Sequence, residues 1–334
     1  RDRLRSRGLG DVYKRQITLC VMRCVFCMSI VSSGGGVLSR GCALGFLLLI
    51  SVFAQAETPL LWNQPASREQ CPTSNDAAWV QYPKGEACMR YFSAGTLRDA
   101  PLALVVLKGD RVSQIKRSPD TIPGNTAEAQ RRQARAMLRQ TGLPTIIIAR
   151  PGTYGSSGNH YRRRQAEEFQ AIAAALDAIK ARYGIQRFIL SGHSGGATAA
   201  SALLTFGRRD IDCAVLTSGA WGLLERAQRL RQEHNEPLAP TLDGTGLPAP
   251  WDPLDHINGI AADPQRLILV VGNPQDRNTP FDLQARFAAA LREHGHRVTL
   301  LERPAASPEY HDLLGNAAIN AIKRCPQRGH IPHR

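Results

Sequence analysis

Ile185-Gln186-Arg187-Phe188-Ile189-Leu190-Ser191 runs directly into Gly192-His193-Ser194-Gly195-Gly196, followed by Ala197-Thr198-Ala199-Ala200-Ser201-Ala202-Leu203-Leu204-Thr205-Phe206. The first segment is a short apolar run with β-branched and aromatic residues, which reads as a buried strand. The last is an Ala/Leu-rich run of helical length, so Gly195–Phe206 is expected to be a helix. Between them stands G-x-S-x-G. A turn that tight forces a residue into strained backbone, and flanking glycines avoid the clashes. The bare motif is weak. In the order strand, turn, helix it presents Ser194 Oγ above the carboxyl end of a strand, where open α/β sheets bind ligands. Gly195 N–H then faces the place where an oxyanion would form.

The pattern repeats outward from this point. Pro101–Leu107, Thr145–Ala149, Ile211–Leu216, Leu267–Val271 and Arg297–Leu301 read as further strands, and most are continuous apolar runs. Thr126–Thr141, Tyr161–Tyr183, Phe281–His294 and Asp312–Lys323 read as helices. Strands buried on both faces and alternating with helices imply a mostly parallel sheet covered on both sides. Residues 219–263 break the rhythm with Trp221, a charged helix-like stretch and a Pro/Gly-rich run up to Trp251. A segment of that kind is a natural lid or substrate-pocket wall. Two loops that follow strands carry the partners a serine needs. Asp276 follows Leu267–Val271, and His311 follows Arg297–Leu301. Both fall at the sheet edge that carries Ser194. A serine hydroxyl is a weak nucleophile and needs a base, itself oriented by an acid.

On these residues the chain resembles the α/β-hydrolase serine hydrolases over about residues 88–323. Val105-Val106-Leu107-Lys108-Gly109-Asp110 resembles the family's strand-to-oxyanion-loop segment, with Lys108 where His is usual. Arg150-Pro151-Gly152-Thr153-Tyr154-Gly155-Ser156-Ser157-Gly158 resembles the pocket loop of small esterases, dienelactone-hydrolase-like enzymes and prolyl-oligopeptidase catalytic domains. The resemblance implies an α/β-hydrolase fold with a lid insertion and the chain order Ser, acid, His. It makes Ser194 the nucleophile, Asp276 the acid and His311 the base. Gly195 and one of Asp110 or Arg111 would supply the oxyanion donors, and Tyr154 and Trp221 would line the substrate site. Asp252, Asp255 and Asp263 are the alternative acids, and His193 and His296 the alternative bases. The implied reaction is hydrolysis of an ester through an acyl-enzyme, without cofactor. Short-peptide cleavage is the second reading, and an inactive hydrolase fold used for binding is the third.

Composition bounds the rest. The chain has 334 residues, 43% hydrophobic and 21% charged, with a formal net charge of +14. That suits one large domain rather than a disordered or polytopic membrane chain. Gly41–Phe53 is a short apolar run behind Arg40 and ends in Ala54-Gln55-Ala56, the pattern of a secretory signal peptide cut after Ala56. Residues 28–56 are therefore expected to be the signal, 1–27 an extension foreign to the folded protein, and 57–334 one domain. Removing the eight basic and two acidic residues of 1–56 leaves +8, ordinary for solubility. Nothing spans a bilayer once the signal is gone. Four cysteines remain, Cys71, Cys88, Cys213 and Cys325, an even number that in an exported protein suggests two disulfides. Cys71–Cys88 is favoured by proximity, which leaves Cys213 and Cys325. The arginines of Thr126–Thr141 and Arg162–Arg164 read as solvated faces without an aromatic platform, so no nucleic-acid partner is expected. No metal-ligand spacing is present. The expected location is secreted or periplasmic, and the expected partner a small ester or short peptide.

Overall fold

Every residue of Ile211–Thr217 is buried, as is every residue of Leu267–Gly272. Strands with that composition must be covered on both faces. The computed structural model describes residues 57–326, so the expected signal peptide, its expected cleavage site and the expected upstream extension lie outside the described residues. It contains an eight-stranded sheet: β1 (Ala77–Tyr82), β2 (Gly85–Ala94), β3 (Leu102–Leu107), β4 (Thr145–Ile148), β5 (Arg187–His193), β6 (Ile211–Thr217), β7 (Leu267–Gly272) and β8 (Arg297–Glu302). The spatial order is β1-β2-β4-β3-β5-β6-β7-β8. Only β1–β2 and β2–β4 pair antiparallel, and the rest are parallel. The six strands expected from the sequence are all present, within two residues at each end. β1 and β2 are additions.

The helices are α1 (Val112–Ile115), α2 (Ala127–Thr141), α3 (Ala166–Tyr183), α4 (Gly195–Thr205), α5 (Leu223–Glu233), α6 (Phe281–Glu293) and α7 (Ala317–Ile322). Side-chain alternation along the strands builds two cores, one on each face. On one side Val105, Phe188, Leu190, Ile268 and Val270 meet Phe169 and Leu176 of α3, Leu203 of α4 and Phe287 of α6. On the other, Leu104, Ile189, Val215 and Leu269 meet Ile319 and Ile322 of α7. Helix ends follow local chemistry. Thr126 Oγ1 accepts from Ala129 N–H at 3.2 Å to start α2, and Gly142, at φ +75°, ends it.

Two expected helices are shorter than the sequence suggested. Tyr161–Tyr183 divides into a 3-10 turn at His160–Arg162 and α3, because Arg163 and Arg164 turn inward to an ion-pair cluster. Asp312–Lys323 is helical only from Ala317, because Gly315 and Asn316 both take positive φ.

The four cysteines of the described residues form two disulfides. Cys71–Cys88 ties the segment before β1 to β2, and Cys213–Cys325 ties β6 to the chain just after α7. Among the described residues no helix is long and apolar enough to cross a membrane.

Candidate active site

Parallel register brings the chemistry to one edge. Leu107 pairs with Gly192, Gly192 with Leu216, and Leu216 with Val270, so the loops after β3, β5, β6 and β7 emerge side by side. The Ser194 elbow is held there by its neighbours. Ser194 N–H donates to Thr217 O at 2.9 Å, and Thr217 Oγ1 donates to Gly192 O at 3.0 Å. Ser194 itself has φ +55° and ψ −126°, strained for a residue with a side chain. A Cβ on Gly192 would strike the Gly196 carbonyl, and one on Gly195 would strike the Asp110 carboxylate. The glycines of the motif are thus required by close approach.

Asp276 and His311 meet. His311 Nδ1 lies 3.0 and 3.1 Å from the two Asp276 oxygens. Asp276 is buried, and its Oδ1 also accepts from Asn278 N–H at 2.9 Å and Thr279 N–H at 2.8 Å. The backbone of His311 is anchored by Ser218 Oγ, which donates to His311 O at 2.8 Å. A carboxylate at Nδ1 keeps the proton there and leaves Nε2 as the basic nitrogen. Ser194 and His311 line one cavity of about 520 Å³, together with Gly109, Asp110, His193 and Arg226. Among the described residues the Ser194 hydroxyl makes no hydrogen bond to the His311 ring. Such catalytic hydrogen bonds often tighten only when substrate is bound.

None of the alternative acids Asp252, Asp255 and Asp263 lines this cavity. Asp252 accepts from Leu223 and Leu254 N–H, and Asp263 from Gln265 N–H. Of the alternative bases, His193 stands beside His311, with ring centroids 5.0 Å apart, and its Nε2 lies 3.3 Å from Asp312. Burial, with the neighbouring His311 ring, lowers its pKa despite Asp312. His296 precedes β8.

The oxyanion candidates separate. As the first helical residue, Gly195 has an N–H without an acceptor in α4. Arg111 N–H is engaged by His160 Nε2 at 3.3 Å. Asp110 N–H has no partner among the described residues. The Asp110 side chain is the hub of an ion cluster, bound by Arg150 at 2.8 Å, Arg163 at 3.1 Å and Arg164 at 2.6 Å. Burial alone would raise its pKa, but those three guanidinium groups outweigh it and hold the carboxyl well below the usual range. Arg150 is braced in turn by Glu168 at 2.7 Å.

Three expectations are corrected. Trp221 does not reach the cavity. It is fully buried, stacked on Phe287 with centroids 4.3 Å apart, and its indole N–H donates to Ser201 Oγ. Tyr154 is also off the cavity, packed against Trp62 with the Lys108 ammonium 4.6 Å over its ring. The rest of its loop likewise stays away, and only Arg150 acts on the site, through Asp110. Arg163 and Arg164, read as solvated, are buried and line the cavity. Sequence reasoning also missed Arg226, on α5 within the 219–263 segment. It is buried, with a pKa lowered to about 9 by burial and then by the nearby Arg164. Three successive arginines just ahead of a helix were the available signal for the first two. Arg226 sits in an amphipathic charged helix and had none.

No family model matches the chain, and no curated protein does. Solved structures do. Est1E from Butyrivibrio proteoclasticus with ferulic acid bound aligns over 74% of this chain and 96% of its own, at 14% identity and TM-score 0.50. The Pyrococcus furiosus esterase Pf2001 aligns over 72% of this chain and 90% of its own, at 14% identity and TM-score 0.47. For the Pyrococcus horikoshii acylaminoacyl peptidase the values are 68%, 36%, 16% and 0.46, so the chain spans about a third of that protein's length. At these identities the likeness is one of fold.

Proposed function

From a chain with the α/β-hydrolase fold, we propose an exported serine hydrolase that cleaves a carboxylic ester through an acyl-enzyme on Ser194. The observation that carries this reading is the buried Asp276 carboxylate holding His311, which lines the cavity that also holds a strained serine elbow. Ser194 Oγ attacks the acyl carbon while His311 Nε2 takes its proton. Asp276 holds the ring and stabilises the imidazolium. Gly195 N–H and Asp110 N–H receive the oxyanion, since the Arg111 N–H is already engaged. Collapse expels the alcohol, which takes the proton from His311. Water, deprotonated by His311, then attacks the acyl-enzyme and releases the acid and free Ser194. Nothing in these steps requires a cofactor. An ester carbonyl is less resonance-stabilised than an amide carbonyl, and an alkoxide leaves more readily than an amide anion, so ester cleavage is the less demanding reaction for this set. The signal-like residues 28–56 and the two disulfides support export.

A fluorophosphonate probe is the direct test. It is expected to label wild-type protein, with the adduct mapping to Ser194, and to leave Ser194→Ala unlabelled. A parallel panel of nitrophenyl esters and peptide nitroanilides should show turnover of the esters. Folded protein that takes no label would overturn the reading, and faster cleavage of the amides would make it a peptidase.

A further inference from the structure

The cavity in front of Ser194 carries more positive charge than its own carboxylates neutralise. Arg111, Arg163, Arg164 and Arg226 all line it. Asp110 is already divided among Arg150, Arg163 and Arg164, and Glu168 is taken by Arg150. Asp243 stands 3.8 Å from Arg164. Asp312 is largely exposed and pairs with His193.

Arg226 is the group without an ion-pair partner, and Asp110, Asp276 and Asp243 act on its charge only at longer range. It is 6% exposed, and its hydrogen-bond acceptors among the described residues are neutral: Nε donates to Asn278 O at 2.8 Å and Nη2 to Asn278 Oδ1. Among the described residues no carboxylate lies within ion-pair distance of it. Two further guanidinium nitrogens of the cavity wall, Arg111 Nε and Arg164 Nε, are buried without a hydrogen-bond partner. A buried cation held only by neutral acceptors is unfavourable, and an anion brought against it relieves the cost. Arg111 is only half-buried and keeps part of its hydration, which leaves Arg226 as the one buried guanidinium of the wall with no carboxylate in direct contact, an arrangement that matches a monoanion. The guanidinium fork is suited to a carboxylate.

We infer that the Ser194 cavity takes an anionic substrate, an ester that carries a carboxylate on its acyl or its alcohol portion, held by Arg226 with Arg111 and Arg164. The inference rests on Ser194 as the nucleophile of an ester hydrolase, and its test separates the two claims.

Wild-type enzyme is offered matched pairs. On the acyl side these are 4-nitrophenyl hydrogen adipate and 4-nitrophenyl methyl adipate. On the alcohol side they are 4-acetoxybenzoate and its methyl ester. In at least one pair kcat/KM should favour the anion by on the order of 10-fold or more after correction for spontaneous hydrolysis. Arg226→Gln should bring that ratio towards one, and Arg226→Lys should restore part of it. If the Arg226 variants do not fold, Arg111→Gln is the second variant and should also reduce the ratio. Adipate should raise the melting temperature of Ser194→Ala protein, which reads anion binding without turnover. Equal or better use of the neutral ester in both pairs, by enzyme that labels at Ser194, overturns the anionic substrate and leaves the nucleophile standing. Absence of both labelling and ester turnover overturns the nucleophile, and the adipate shift then decides whether the cavity binds anions.

Discussion

Ser194 occupies a backbone conformation that a side chain disfavours, and the structure maintains it through Thr217 and the glycines on either side. His311, the proposed base, is equally constrained. Its Nδ1 faces a carboxylate whose Oδ1 is also occupied by backbone donors, so the ring has one orientation and one free nitrogen. Groups so arranged act as a unit. Ser194→Ala and His311→Ala should each lower kcat by on the order of 10^4-fold or more, with little further loss in the double variant. Asp276→Asn should cost less, because the imidazole stays but loses its orienting charge. Steady-state kinetics on one activated ester checks all four, and additive losses from Ser194 and His311 would break the assignment. The shared placement of Ser194, Asp276 and His311 was legible because each follows a parallel strand that ends at the same edge of the sheet. The arginines were not, because a run of like charges reads as a solvated face unless the chain is known to turn inward. Asp110 is what turns it, and its carboxylate lies too far away in sequence for local patterning to connect them.

The loop between β4 and α3 shows how one element can carry a pH response. His160 is buried, its Nε2 accepts from Arg111 N–H, and its Nδ1 faces Pro151 O. Those contacts use the neutral ring fully. Burial, then the Arg150 charge, lowers its pKa from 6.5 to about 3 against the pull of Asp110. The unfolded chain therefore gains a proton near pH 6.5 that the folded chain refuses until about pH 3. Stability from this residue is complete above that upper value and falls on acidification, by about 1.4 kcal/mol per pH unit. Urea midpoints of wild type and His160→Gln, compared from pH 7 to pH 4, should show the wild-type advantage shrinking across the window. A constant difference would mean that the folded ring takes up the proton normally. At this scale the sequence was most readable where strands are continuously apolar, as in β5, β6 and β7. β1 and β2 escaped because they mix Gln81, Glu86 and Arg90 among their buried residues and sit at the antiparallel edge, where one side can face water. The early part of the expected Tyr161–Tyr183 helix failed because residues of good helical propensity were claimed by ion pairs.

Across the whole molecule the sheet is secured by two covalent ties of very different span. Cys71–Cys88 closes 17 residues and Cys213–Cys325 closes 112. In the chain-entropy picture the first stabilises by about 3 kcal/mol and the second by about 5 kcal/mol. Cys→Ser variants of each pair, measured by chemical denaturation, should rank in that order. The reverse ranking would show that native packing rather than loop length governs. The even cysteine number and the short spacing of the first pair pointed to this arrangement. The second pairing needed the tertiary structure, since only the packing of α7 against the sheet brings Cys325 to Cys213 of β6.

Asp276, His311 and Arg226 all lie within the span that Cys213 and Cys325 enclose, whereas Ser194 lies before it. A protease that cuts an exposed stretch in that span, such as the one around Leu238, would therefore sever the backbone without releasing a fragment. The nicked molecule should migrate as one species on a denaturing gel until a reductant is added, and then as two. With its two pieces still leashed, it should go on turning over ester after the cut and stop when the leash is reduced. Under oxidising conditions, where the bond persists, that converts an otherwise fatal break into a tolerable one.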